Sequence, residues 1–518
     1  MNVHDSIPVP RRAKALIRPI RAYLEEVCAK LAAMEQDANV DYAAHEEFIS
    51  SMLAHLGQQT HQLFLENLDI RSEFVTIWGS LHKQVGRYEA KYRSLEGPVR
   101  VERSIYRKVG ERNAPTVDPV SLRAGVVADG WLPCAASAMA HLLATGTSRE
   151  AKATCDQLKR LPYSRTSFER VGHAVGALYC KAAPRIEDAL IAAYEIPKEA
   201  NSISVSIDRV SLPMEETPQK KPPKRRDERA KMLDKFLANA EQRYEIDPRV
   251  EATLAEQKRE AKRCKRKVER NYRMAYCATI TLHDGNGESL HTIRYGRMPA
   301  GDTRSLMRRL AADVRALRKS RPDLQVVFLA DGASELWGLY DTYMNKTEIG
   351  VNAVRLVDCW HALEYLASAA RILEVHKKAW PGQFRRWRAT LMKKAQATEE
   401  IIAELKESNL ANIRDADGNQ PVASAIRYLE KRVSMTRYAT ARRNGLPIGS
   451  GNVEATCKSL VAQRMKRSGA RWKHTGGNEV MQLRALVLSD RWDEGIARAL
   501  SPCRKPVKAI GYWEAKAA

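Results

Sequence analysis

The chain has 518 residues, of which 44% are hydrophobic, enough to bury sizeable cores and a soft prior for about three domains. Its formal net charge of +24 predicts attraction to polyanions, nucleic acid first among them. No run of 18 apolar residues exists, which excludes a spanning helix, and the nine cysteines form no C-x-x-C pair, which argues against a disulfide framework or a zinc ribbon.

The first twenty residues, MNVHDSIPVPRRAKALIRPI, carry no apolar stretch ending in a small-residue cleavage site, so a reducing, cytoplasmic setting is expected, without a membrane partner. Residues 10 to about 95 read as helices, with Phe48, Met52, Leu53, Leu56 and Leu63 at helical spacing. His45, His55 and His61 read as helix-face residues there rather than ligands. Val99-Arg-Val-Glu-Arg-Ser-Ile-Tyr106 alternates as one arm of a hairpin does. The most apolar stretch, Gly125 to Gly146, is broken by Asp129, Pro133 and His141. A short helix starts at Ser148, Leu161-Pro-Tyr-Ser breaks it, and Ser164 is placed to cap a second helix carrying Arg165 and Arg170. The pair fits a helix-turn-helix whose second helix enters a major groove, or a plain helical hairpin.

The texture changes after residue 200. Ser202-Ile-Ser-Val-Ser-Ile-Asp208 alternates strictly, which predicts a strand ending on a carboxylate. Tyr276–Leu282 and Leu290–Tyr295 follow as strands around a His283-Asp-Gly-Asn-Gly turn, giving a three-stranded meander interrupted after its first strand. The interruption, 217 to 273, holds 19 Lys and Arg against 10 Asp and Glu. It reads either as a solvated helical insertion or as an arm along a DNA backbone, and the arm is favoured, with Lys220, Lys221, Arg225, Arg226, Lys262, Arg263, Lys265, Arg266 and Lys267 as its phosphate contacts. A basic amphipathic helix spans 302–319. Leu324-Gln-Val-Val-Phe-Leu-Ala-Asp331 is a buried strand ending on a second carboxylate, and Val351–Asp358 is another strand. Residues 361–440 read as helices broken at Pro381 and at Asp415-Ala-Asp-Gly-Asn. A last helix after Gly445-Leu-Pro-Ile-Gly-Ser-Gly carries Glu454.

The order strand, strand, strand, helix, strand, helix, strand, then a helix reached through a long insertion is that of a ribonuclease-H-like fold. The expected class is thus α/β: a ribonuclease-H-like mixed sheet interrupted by a large helical insertion, behind an N-terminal, mainly helical DNA-binding region. The expected division is a helical region at 1–95 for oligomerisation or DNA binding, and a helix-turn-helix-like region at 96–200. The catalytic domain follows at 201–360 and 445–495 around a helical insertion at 361–444, with a tail at 496–518. Acids at the ends of neighbouring parallel strands meet at one sheet edge. Asp208, Asp331 and Glu454 are therefore the candidate catalytic and metal-binding set. Singly, each has an ordinary explanation as a turn residue or a helix N-terminal acid; Asp358 and Glu335 are rival acids. A phosphodiester repels a hydroxide nucleophile, and two Mg²⁺ (or Mn²⁺) ions about 3.5–4 Å apart relieve that. Such ions take hard carboxylate oxygens and leave room for water and substrate.

Gly449-Ser-Gly-Asn-Val-Glu454-Ala-Thr-Cys-Lys458-Ser-Leu-Val-Ala-Gln-Arg464-Met-Lys466-Arg467-Ser-Gly-Ala-Arg471-Trp472, with Ser489-Asp-Arg-Trp-Asp, resembles the C-terminal signature of bacterial insertion-sequence DDE transposases of the ISKra group. Asp358-Cys-Trp-His361 resembles the D/C-x-x-H motif of that group and of hAT-like and Mutator-like transposases; Val205-Ser-Ile-Asp and Phe328-Leu-Ala-Asp-Gly-Ala resemble their catalytic strands. The resemblance spans about 120–495 and implies that Asp208, Asp331 and Glu454 hold two divalent ions. Asp358 and His361 would be a structural hydrogen bond at the site's edge, with a DNA contact as second choice. Lys458, Arg464, Lys466, Arg467 and Arg471 would meet phosphates of the cleaved strand. Trp472 is read as a core residue ahead of a base-stacking one. The family's cysteine pairs ahead of the helix-turn-helix are absent around 99–113. The implied activity is hydrolysis at the ends of an element and joining of the freed 3′-hydroxyls to target DNA, with double-stranded DNA as partner and a homodimer or larger assembly to hold two ends. The alternatives are a structure-specific nuclease on the same fold and a transposase-derived DNA-binding protein without catalysis.

Overall fold

The computed structural model describes residues 13–35, 40–215, 270–299, 303–376 and 382–511. Most of the basic interruption, 216–269, lies outside them. The architecture is mixed α/β, with two separate sheets and many helices.

The larger sheet is built from β4 (Ser202–Glu215), β5 (Arg270–His283), β6 (Ser289–Arg297), β7 (Gln325–Ala330) and β8 (Val354–Val357), in the order β6-β5-β4-β7-β8. β4, β5 and β6 form the expected antiparallel meander; β7 runs parallel to β4, and β8 parallel to β7. Ile203, Val205 and Ile207 are fully buried on one face, against Leu306, Leu310 and Val314 of the 303–320 helix. The intervening serines, Ser202, Ser204 and Ser206, are buried as well. Ser204 Oγ hydrogen-bonds the buried His283 ring at 2.7 Å, and the other nitrogen of that ring meets the Gly287 carbonyl, whereas Ser202 Oγ is buried without a partner among the described residues. Strand, helix, strand, helix and strand follow the expected order, and the arrangement is compatible with a ribonuclease-H-like sheet. Helices at 359–375, 383–393, 397–407, 421–430 and 438–443 occupy the segment read as a helical insertion.

The strand bounds differ from expectation at two points. β4 does not end on Asp208 but runs on to Glu215, because its antiparallel ladder with β5 continues after its parallel partner β7 has stopped. β8 is only four residues long.

The N-terminal region departs further. Helices occupy 17–34 and 42–67, but residues 74–93 are strands rather than helix: β1 (Phe74–Ile77) and β2 (Ser80–Arg93). A two-residue turn joins them, with Trp78 at φ 50° and Gly79 at φ 77°. That is the mirror-image turn suited to a twisted hairpin, and it usually carries Asn-Gly; a tryptophan in the first position conceals it. β3 (Pro98–Lys108), the expected hairpin arm, pairs with β2. Within the segment expected as a tail, residues 496–511 are built into the fold: a helix at 492–500 leads to β9 (Val507–Ile510), which pairs antiparallel with β1 and gives the second sheet the order β3-β2-β1-β9.

The helix pair expected around residue 160 is present at 148–157 and 165–192. Its second member is no short free helix. Over 28 residues it buries Phe168, Val171 and Val175 in one core with Met139 and Ala140 of the 133–145 helix and with Leu483, Leu486 and Ile496 of the 474–488 and 492–500 helices. The segment before the larger sheet and the one after it are therefore one packed body. Among the described residues no helix is long and apolar enough to cross a membrane.

Shared packing makes a stability prediction. Leu483→Ala, at a fully buried position, should cost about 2–5 kcal/mol in denaturant unfolding. Hydrogen exchange should show 133–192 and 474–500 losing protection together; 133–192 keeping its protection would contradict the shared core.

Candidate active site

The parallel register decides where the acids stand. β4 and β7 pair from Ser202 with Gln325 to Ser206 with Leu329. Two residues further along each strand are Asp208 and Asp331, so the two carboxylates fall level on adjacent strands. β7 and β8 pair up to Ala330 with Val357, which sets Asp358 level with Asp331. Strand alternation sends these positions to the face opposite Ile207 and Ala330. On that face Cys277, the ladder partner of Asp208, packs with Val453, Cys457 and Leu460. The helix carrying Glu454 thus covers the same face.

Asp208 and Asp331 are each part-exposed, and Glu454 is exposed. Asp208 Oδ1 accepts its neighbour's amide, Arg209 N–H, at 2.6 Å, and Oδ2 accepts the Cys457 thiol at 3.5 Å. A hydrogen bond with Cys277, then burial and the adjoining Asp208, push that thiol far up, so it stays protonated and donates. Cys457 lies one helical turn after Glu454, so this contact ties the Glu454 helix to Asp208. Asp331 Oδ1 caps the turn at Ala333 N, and its carbonyl accepts the Trp337 indole N–H. Its other carboxylate oxygen has no hydrogen bond among the described residues. A π-helical stretch, Cys457–Ala462, directly follows the Glu454 turn, a feature frequent at functional sites.

Two contacts fix the loops around these acids. Asp358 is wholly buried; one oxygen accepts His361 N–H at 3.0 Å and the other accepts the Ser450 amide and its hydroxyl, the latter at 2.8 Å. The carboxylate caps the 359–375 helix and pins the chain just ahead of Glu454. With its oxygens so occupied Asp358 is placed as a positioning group rather than a rival metal ligand. Gly332 is the second. A Cβ there would come within 2.6 Å of the Tyr428 ring and 2.8 Å of Arg432, and Arg432 donates to the Gly332 carbonyl. The glycine after Asp331 admits close approach of the 421–430 helix, which is more than the turn role its sequence suggests.

Glu335, the other rival, is ion-paired with Arg209 and accepts the Tyr276 hydroxyl at 2.7 Å. It clamps β4 and β5 beside the site. His361 is part-exposed and pairs with Glu364 at 3.4 Å.

The basic residues divide. Lys458 and Arg471 are exposed. Lys466 reaches Ser211 Oγ at 3.2 Å, and Arg467 is paired with Glu150. Arg165 donates to Ser148 Oγ at 2.9 Å, and Arg170 pairs with Asp129 at 3.3 Å; both are exposed at the outer end of their helix. Arg464 is corrected. It is 6% exposed and donates through two nitrogens to the Leu143 carbonyl, and burial pushes its guanidinium down to about 10. It joins the helix to the 133–145 helix and faces no open groove. Trp472 is settled by contacts as well: its indole N–H donates to Met465 O at 2.8 Å, Arg464 lies over its ring at 5.3 Å, and its backbone bonds Pro213 and Glu215 at the end of β4. These contacts tie the part-exposed ring to the end of β4. Lys220, Lys221, Arg225, Arg226, Lys262, Arg263, Lys265, Arg266 and Lys267 lie outside the described residues.

Among the described residues no three His, Cys, Asp or Glu side chains are gathered so as to cage a metal ion. The donors present are two level aspartates with a third acid about one helical turn from Asp208's thiol partner. That set suits Mg²⁺, which is held by one or two carboxylates with water and substrate oxygens rather than by an all-protein cage.

No protein-family model matches the sequence, and no curated protein does. Among solved structures, the Drosophila P element transposase strand transfer complex is similar at a TM-score of 0.31 and 10% identity, over 69% of this chain and 92% of that one.

Burial of Asp358 yields a test. Asp358→Ala strands the Ser450 and His361 amides and should lower unfolding free energy by roughly 2–4 kcal/mol. Unchanged stability in denaturant with DNA cleavage lost would place Asp358 among the ligands instead.

Proposed function

We propose that the chain is a metal-dependent DDE transposase, of the kind carried by bacterial insertion sequences of the ISKra group. It binds the element's ends, hydrolyses the phosphodiester there and joins the freed 3′-hydroxyls to target DNA. The observation that carries this reading is the level placement of Asp208 and Asp331 on neighbouring parallel strands, on the face that the Glu454 helix covers. The ribonuclease-H-like reading of the sheet and the signature around Glu454 support it; neither alone would suffice.

Asp208 and Asp331 would hold Mg²⁺ or Mn²⁺ between them, and Glu454 would complete the set. Bound there as two ions, the metal supplies charge to offset the phosphate and to activate the attacking oxygen. The protein's own part is orientation. The Cys457 thiol fixes one rotamer of Asp208, and the Ala333 amide fixes Asp331. Asp358 sets where the Glu454 helix begins. No covalent protein intermediate is required, so no serine or tyrosine nucleophile is invoked.

DNA affinity would come from the +24 charge. Lys458, Lys466, Arg467 and Arg471 lie on the chain segment following Glu454 and would meet phosphates of the cleaved strand. Arg165 and Arg170, at the exposed end of the long helix, and the basic 217–273 segment are proposed as further backbone contacts. Arg464 is left out of that set.

The test is Mg²⁺-dependent nicking of DNA bearing the element's ends, followed by assay for a strand-transfer product. Asp208→Asn, Asp331→Asn and Glu454→Gln should each lower nicking by at least about a thousandfold, or about 4 kcal/mol in the barrier, with DNA binding retained. Nicking that survives any one of these substitutions removes that acid from the site. Cleavage without strand transfer would indicate a nuclease, and binding without cleavage a transposase-derived DNA-binding protein.

A further inference from the structure

The two N-terminal helices carry apolar side chains that the described residues leave exposed. The helix Ile17–Met34 buries no residue, and the helix Tyr42–Asn67 buries only Leu65. In a folded protein most of a helix's stability comes from packing its apolar face. On the first, Ile20, Leu24, Val27, Leu31 and Met34 recur at alternating four- and three-residue steps, the spacing of a coiled-coil seam. Leu24 and Leu31 are 54% and 55% exposed, and on the second helix Leu53 and Phe64 are 52% and 68% exposed, with Ile49, one turn before Leu53, at 39%. Exposed apolar side chains recurring along both helices are what a protein contact would cover.

Charge decides the kind of partner. Residues 42–67 contain Glu46, Glu47 and Glu66 and no lysine or arginine, in a chain where the two basic types number 86 of 518. A surface meant for DNA would carry cations. The first helix has Arg18, Arg21 and Lys30 against Glu25 and Glu26, so its slight positive balance complements the acidic second helix. The two helices of one chain already touch where Lys30 lies over the Phe48 ring at 4.5 Å, and the exposed leucines remain uncovered beside that contact.

We propose that residues 17–67 form the surface by which two copies of this chain associate, the first helix of one copy lying on the acidic second helix of the other in a four-helix bundle. This deepens the proposed function, which needs two DNA ends held together, but it is read without DNA or metal, so either can fail alone.

The experiment is sedimentation equilibrium of the full chain over a concentration series without DNA. The wild type should be a dimer. Leu24→Glu with Leu31→Glu on the first helix, and separately Ile49→Lys with Leu53→Lys on the second, should each weaken association at least tenfold. Mixing the two variants should restore a one-to-one dimer, because the new glutamates then face the new lysines; this also shows that both variants fold. A wild type that stays monomeric throughout overturns the proposal, as does either variant dimerising like the wild type. Variants that lose DNA binding without any change in self-association would overturn it in favour of a DNA surface. Two monomeric variants that fail to pair on mixing would overturn the crossed arrangement of helices.

Discussion

The site depends on one constraint, the parallel register between β4 and β7. Because Ser206 stands opposite Leu329, the next outward-facing positions on that face are Asp208 and Asp331. A slip of one residue would turn one of the two to the opposite face. The register is held by burial on both sides of the sheet. Ile203, Val205, Val326 and Phe328 pack into the main core, while Val327 and Leu329 pack with Leu356 and Leu446 on the other side. The hydrophobic pattern that builds the sheet is thus also what sets the two aspartates level on neighbouring strands.

The third acid is delivered by a different device. Glu454 is far from both aspartates in sequence, and the helices of 359–443 intervene. Asp358 on the end of β8 binds the Ser450 amide, and Cys359 N–H bonds the Ile448 carbonyl at 3.0 Å, so the returning chain is stitched to the sheet before the Glu454 helix starts. Cys457 then meets Asp208 from that helix. The intervening helices are fixed to the same edge by Tyr428 and Arg432 at Gly332 and by the Tyr438 hydroxyl on the Val357 carbonyl at 3.1 Å. The long insertion is braced on the strands that carry the acids, which gives Gly332 and Asp358 structural work beside the chemistry.

The sequence shows local signals and hides distant pairings. The alternation before Asp208, the apolar run before Asp331 and the helical texture of 361–440 are all visible, since each depends on its own side-chain period. The order of the strands follows from them; the register does not, because it is set by contacts across the sheet. β1 and β2 are hidden by Trp78 in a left-handed turn position, and β9 by lying over four hundred residues from its partner β1. The run Arg464-Met-Lys-Arg467 looks uniformly cationic, yet Arg464 serves a buried carbonyl while Lys466 and Arg467 reach the surface. Charge patterns alone cannot separate an arginine meant for phosphate from one meant for a peptide oxygen. Cys277 and Cys457 carried no signal as scattered cysteines, and acquire one only through the ladder that pairs Cys277 with Asp208.

The central claim is that level aspartates on β4 and β7 are a divalent-metal site. Anomalous diffraction from crystals soaked in Mn²⁺, with a cut DNA end bound, addresses it directly. The account predicts manganese touching both Asp208 and Asp331, with Glu454 drawn to the same pair of ions. Manganese bound elsewhere on the chain, with neither aspartate as a ligand, would contradict it.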